Sequence, residues 1–133
     1  MAKKTLIVQG IRPNEKFSSG FSTHVDWEPR TNIVACRAVL IIELELPGVV
    51  REDISIVLEN ERELVIRGTK PKPVINEPQV AYYLFEREFG QFYKRIDIDF
   101  PLDIEQIESE IQNGVLTVRI PRKPRRKVSI SVE

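Results

Sequence analysis

Few of the 133 side chains could attack, ligate or relay a proton, since the chain holds one histidine, His24, and one cysteine, Cys36. A thiolate–imidazole pair requires both groups within hydrogen-bond reach. Nothing in the sequence brings these two together, so Cys36 reads as a packed or half-exposed side chain. No HExxH, CxxC, phosphate-cradling glycine loop or GxSxG elbow occurs. Asp97 and Asp99 stand two residues apart and could offer oxygens to a hard cation, but carboxylates on a solvated strand face explain them as well. No metal, no cofactor and no enzymatic activity are expected. The densest charge run is Arg122-Lys123-Pro124-Arg125-Arg126-Lys127. Such a run can neutralise nucleic acid phosphates or act as a solvated spacer drawn to acidic protein surface. The second role is the expected one, with no nucleic acid partner.

The elements that position these residues are predicted to be strands. The sequence has 16 Ile and 14 Val against 4 Ala, and β-branched side chains suit a pleated, half-buried sheet better than a helix. Ala38 to Leu46 alternates, with Leu40, Ile42, Leu44 and Leu46 on one face, and Pro47-Gly48 ends it. Ile54, Ile56 and Leu58 alternate next. A turn at Asn60 leads into Leu64 to Arg67, closed by Gly68, and the two segments read as a hairpin. From Gln91 to Phe100, Phe92, Ile96, Ile98 and Phe100 share a face that only Lys94 interrupts. Ile104, Ile107 and Ile111 recur at helical spacing and predict a helix over Asp103 to Ile111. Asn113-Gly114 opposes this reading, because that dipeptide favours a tight hairpin turn whose strands would be Val115 to Ile120 and an extended Glu108 to Ile111. Trp27 is expected to anchor packing.

A chain of this length suits one domain. With 30% charged and 41% hydrophobic residues it can build a packed core. No apolar run approaches the roughly 18 residues of a membrane span, and the opening residues lack a secretion signal. A cytoplasmic location and no membrane association are expected. The net charge is zero but segregated. Residues 1–23 carry four basic and one acidic side chain, residues 121–133 five and one, and residues 24–120 eleven and eighteen. From Gly68 to about Val80 runs a long connection with prolines at 71, 73 and 78, the kind of loop that usually has a function. Beyond Ile120, Pro121 and Pro124 predict the end of the sheet.

These residues resemble the small heat shock proteins, whose shared module is the α-crystallin domain. The likeness begins at Trp27-x-Pro29 and continues through Glu45-Leu46-Pro47-Gly48-Val49, Glu52-Asp53-Ile54 and Glu86-Arg87-x-x-Gly90-x-Phe92. It ends in Asn113-Gly114-Val115-Leu116-Thr117-Val118, so it spans roughly residues 24–120. The resemblance, to the bacterial or archaeal type, implies an all-β, immunoglobulin-like sandwich over 24–120. A flexible N-terminal arm, 1–23, and a C-terminal tail, 121–133, would flank it. It also implies a chaperone that needs no ATP, holds unfolded or misfolded client proteins in solution, and assembles as a homodimer and then a higher homo-oligomer.

The same resemblance assigns roles to particular residues. The long loop would carry a strand exchanged with the partner subunit, here about Asn76 to Tyr83 and including Val80 and Tyr82. The tail motif Ile-x-Ile would be Val128-Ser129-Ile130, with Ile130-Ser131-Val132 overlapping it. Its acceptor groove would be lined by Ile56 and Leu58 on one strand and by Ile107 and Ser109 on another, which overrules the helical reading there. The chain departs from the family pattern at Ser109, usually alanine, and at Lys94, often arginine and unable to make a planar bidentate pair. Its proline, Pro101, falls two residues late, and its N-terminal arm is short.

Holding denatured chains requires apolar surface on mobile or reversibly covered segments. The N-terminal arm supplies Leu6, Ile7, Val8, Ile11, Phe17 and Phe21 among polar and basic neighbours. The alternative from another class is a co-chaperone or adaptor-like sandwich that binds one folded partner. Such a module would not need the tail motif.

Overall fold

The computed structural model describes residues 25–123 and 128–133. The candidate client contacts Leu6, Ile7, Val8, Phe17 and Phe21, together with His24 and residues 124–127 of the basic run, lie outside the described residues. Seven strands follow in order: β1 Thr31–Ala35, β2 Val39–Glu45, β3 Ile54–Glu59, β4 Glu63–Lys70, β5 Gly90–Asp97, β6 Glu108–Gln112 and β7 Val115–Pro121. They form two antiparallel sheets, ordered β1-β2-β7-β6 and β3-β4-β5. This is the β-sandwich that the resemblance implied, built from strands that the alternation predicted.

Period-two patterning determines what is buried. Leu40, Ile42 and Leu44 of β2 face inward beside Leu116, Val118 and Ile120 of β7, and Ile54, Ile56 and Leu58 of β3 face inward beside Leu64 and Ile66 of β4. Each such side chain contributes about 1.5 to 3 kcal/mol when fully buried. The Trp27 ring lies 5.3 Å from that of Phe92, and its indole Nε1 donates to the Gly90 carbonyl at 3.2 Å. A parallel bridge joins Trp27 to Phe92 four residues before β1 begins. β6 is an edge strand of one sheet and β3 an edge strand of the other.

The turn chemistry was readable in advance. Asn113 and Gly114 both take positive φ, 53° and 76°, and join β6 to β7 as a tight hairpin. Asn60 and Glu61, also at positive φ, make the β3–β4 turn. The helix predicted over Asp103 to Ile111 is not formed. Only Ile104–Gln106 makes a 3₁₀ turn, and Glu108–Gln112 pairs with β7. Ile104, Ile107 and Ile111 still all pack on the core, because a 3₁₀ turn followed by an edge strand can direct all three inward.

Three boundaries also differ from expectation. The strand read to Phe100 stops at Asp97, where the Ile98 N–H leaves the ladder and donates to the Arg62 carbonyl at 2.7 Å. Gly68 does not close β4, which continues to Lys70. Pro121 still belongs to β7, since it needs no donor there and its carbonyl accepts from the Asp103 N–H at 2.8 Å. The long connection therefore covers residues 71–89, and no strand forms in it.

Candidate assembly surfaces

The residues of the expected groove lie on or beside an edge strand of each sheet. Ile56 and Leu58 sit on β3 and Ser109 on β6, while Ile107 is extended immediately before β6. Pairing fixes their direction. Ser109 is opposite Val118 and Ile111 opposite Leu116, both buried, so the inner face of β6 turns toward the core and Glu108 and Glu110 turn away. Ile56 and Leu58 are only 1% and 3% exposed. Ile107 and Ser109 are half-buried, so none of the four residues of the expected groove is openly exposed. The Ser109 hydroxyl oxygen is buried and has no hydrogen-bond partner.

The tail occupies no groove on its own chain. Val128, Ile130 and Val132 are 70%, 83% and 97% exposed and form no strand. The root of the tail is firmly held. The Arg122 N–H donates to the Ala38 carbonyl at 2.9 Å, its guanidinium Nη1 donates to the Cys36 carbonyl at 2.9 Å, and the guanidinium carbon lies 4.4 Å from the centre of the Phe100 ring. The Lys123 N–H donates to the Pro101 carbonyl at 3.0 Å. Sequence reasoning missed this clamp, because Cys36 and Phe100 are far from Arg122 along the chain.

The loop that would carry the exchanged strand packs on itself. Asn76, Val80, Tyr82 and Tyr83 are all exposed. Tyr82 meets Phe85 edge-on at 5.1 Å, and the Lys72 ammonium lies 5.0 Å from both rings. Arg87 stacks 4.9 Å from Phe89. Lys70, buried at the end of β4, places its ammonium 5.6 Å from the Trp27 ring and 5.8 Å from Phe89. A desolvated cation over an aromatic face gains electrostatically from the ring quadrupole. Cations and rings alternating along 70–89 were a legible sign of such packing.

β1 is an outer edge strand whose Ile33 and Val34 are exposed, and Thr31–Ala35 contains no charged side chain. An uncharged, β-branched edge is a template for another strand. Charged residues of β5 find partners within the chain. Lys94 meets Glu28 at 2.6 Å, and Arg95 pairs with Glu63 and reaches Asp97 at 3.6 Å. The Glu63 carboxylate raises the Arg95 pKa above its ordinary value. Cys36 is a half-buried free thiol. Among the described residues no cluster of three or more metal-ligating side chains occurs, and no helix is long and apolar enough to cross a membrane.

Comparison with known proteins places these surfaces in context. The model of the Hsp20/alpha crystallin family matches residues 37–133. Small heat shock protein C2 of Rickettsia felis is 32% identical over 111 residues, which span 84% of this chain and 71% of that protein. Heat shock protein 16.0 from Schizosaccharomyces pombe has a similar structure, with a TM-score of 0.66 at 29% identity over 80% of this chain and 99% of that one. The hspA structure from Xanthomonas axonopodis is similar with a TM-score of 0.65 at 28% identity, covering 75% of this chain and 98% of its own.

Proposed function

Because this chain belongs to the Hsp20/alpha crystallin family of small heat shock chaperones, we propose that it is a cytoplasmic holdase that captures non-native proteins without ATP and assembles through dimers into larger homo-oligomers. One observation carries the reading: outside the sandwich, large apolar side chains are left open to water on the tail at Val128, Ile130 and Val132, and on the loop at Val74, Tyr83 and Leu84. A lone folded domain has no use for such exposure, whereas a self-assembling protein covers it reversibly.

In this reading Val128 and Ile130 of one subunit enter the groove of Ile56, Leu58, Ile107 and Ser109 on another. Ile56 and Leu58 are nearly fully buried, so docking there requires the groups that cover them to move. Each docked side chain gains about 1.5 to 3 kcal/mol, less the cost of ordering the tail. Single contacts are therefore weak, and repetition around a closed particle stabilises them through effective concentration. Subunits exchange, and a vacated groove becomes a place for clients, as does the apolar N-terminal arm with Leu6, Ile7, Val8, Phe17 and Phe21. The segment Asn76 to Tyr83 is the exchanged strand, and the open β1 edge of a partner is the surface suited to accept it.

The test is light scattering from a heat-denatured model protein, with and without this chain and without nucleotide. Suppressed scattering at a molar excess is expected. No protection, with a lone monomer at every concentration, favours an adaptor-like module that binds one folded partner.

A further inference from the structure

The segment Asp103–Gln112, which forms the 3₁₀ turn and β6, carries four carboxylates and no cation. Glu105, Glu108 and Glu110 are exposed, and among the described residues none of the three forms an ion pair. Arg119 of β7 lies opposite Glu108 and Thr117 opposite Glu110, so one arginine answers three carboxylates along this edge. The inner side of the same strand carries Ser109 and borders the groove. Immediately before the apolar tail motif the chain has five cations in six residues, Arg122 to Lys127, and no carboxylate.

We propose that the acidic rim of Glu105, Glu108 and Glu110 is a docking surface for the basic run of the tail of a second copy. The inference rests on the reading that Val128 and Ile130 dock at the β3–β6 edge. The spacing suits it: alternate residues of an extended chain rise about 6.8 Å, so Arg125 and Lys127 repeat at the same pitch as Glu108 and Glu110. A tail whose apolar pair is at the inner side of β6 carries these cations past its outer side.

The occupant is a neighbour's tail because the chain's own tail falls short. Arg122 is clamped opposite Leu102, beyond the point where Arg119 faces Glu108, and β7 runs away from Glu110. If the chain reversed at Lys123-Pro124, Arg125 would return level with Arg122 and Lys127 level with Ile120, so no cation of the run would come level with Glu108 or Glu110. Both sides of β7 are already filled by β2 and β6. Coulombic attraction of this kind is screened over about 8 Å at physiological ionic strength, so the contact weakens in salt while an apolar contact does not.

The full chain is compared with three variants: rim-reversed Glu108→Lys/Glu110→Lys, tail-reversed Arg125→Glu/Lys127→Glu, and the apolar control Ile130→Ala. Particle mass is followed by light scattering and native mass spectrometry at low and high salt, and circular dichroism checks that each sandwich is folded. Each reversed chain alone is expected to need about tenfold more protein to assemble, and an equimolar mixture of the two is expected to regain particles containing both. Reversed chains that assemble like the parent, or a mixture that stays dissociated, overturn the rim. If Ile130→Ala also leaves assembly intact, the tail-docking reading fails as well. If it disrupts assembly while the charge reversals do not, the rim alone fails.

Discussion

The ring of Phe92 lies directly over Gly68, so close that a β-carbon there would fall 2.6 Å from Phe92 Cζ and 2.0 Å from the Asp53 carbonyl oxygen. An inward-facing position of β4 is thus occupied by an aromatic ring from the neighbouring strand β5. The ring in turn packs against Trp27, with the ring centres 5.3 Å apart.

Gly68→Ala is expected to cost about 1 to 3 kcal/mol, because overpacking must be relieved by moving a ring and a backbone carbonyl together. Equilibrium denaturation with urea measures this. An unchanged midpoint would show that the Phe92 ring yields freely.

Trp27→Ala is expected to lose about 3 to 5 kcal/mol, the range for a large core aromatic. Trp27→Phe keeps the ring contact with Phe92 but removes the donor to the Gly90 carbonyl, and should lose about 1 kcal/mol. The same denaturation series checks both, and equal losses would mean that the ring contributes little.

Gly114→Ala places a side chain in a left-handed conformation and 3.1 Å from the Pro47 α-carbon. About 1 to 2 kcal/mol of backbone strain follows, with the steric contact in addition. Asn113→Gly should change stability by only a few tenths of a kcal/mol, because glycine also accepts positive φ without strain. Thermal melts of the two variants distinguish turn conformation from packing.

Replacing both Val128 and Ile130 by alanine should leave the melting of the sandwich unchanged, since neither touches the core. Assembly should weaken at least tenfold, as about 1.4 kcal/mol of lost docking corresponds to one decade. Analytical ultracentrifugation over a dilution series reads the effect, and a parental size distribution would remove the tail from the assembly contact.

The sandwich was legible in the sequence because burial on one side of a strand writes a period of two, as Leu40, Ile42 and Leu44 show. The region Ile104 to Ile111 misled for a physical reason. A 3₁₀ turn joined to an edge strand buries the same positions as a helix, and only Asn113-Gly114 and the family resemblance distinguished them. The strand assignments of Ile56, Leu58 and Ser109 were readable, but the near-complete burial of Ile56 and Leu58 was not, since it depends on how the two sheets pack. The Arg122 clamp was equally hidden, because Cys36 and Phe100 meet it only after the chain has folded.

That clamp gives the tail a fixed point of departure. Five residues lie between Arg122 and Val128, and a peptide spans at most about 3.3 to 3.6 Å per residue, so in the proposed docking one subunit can sit no farther from its neighbour than this tether permits. In the proposed assembly this interval sets the curvature of the particle, so lengthening it by a few residues would alter the particle's diameter while leaving every sandwich as it is.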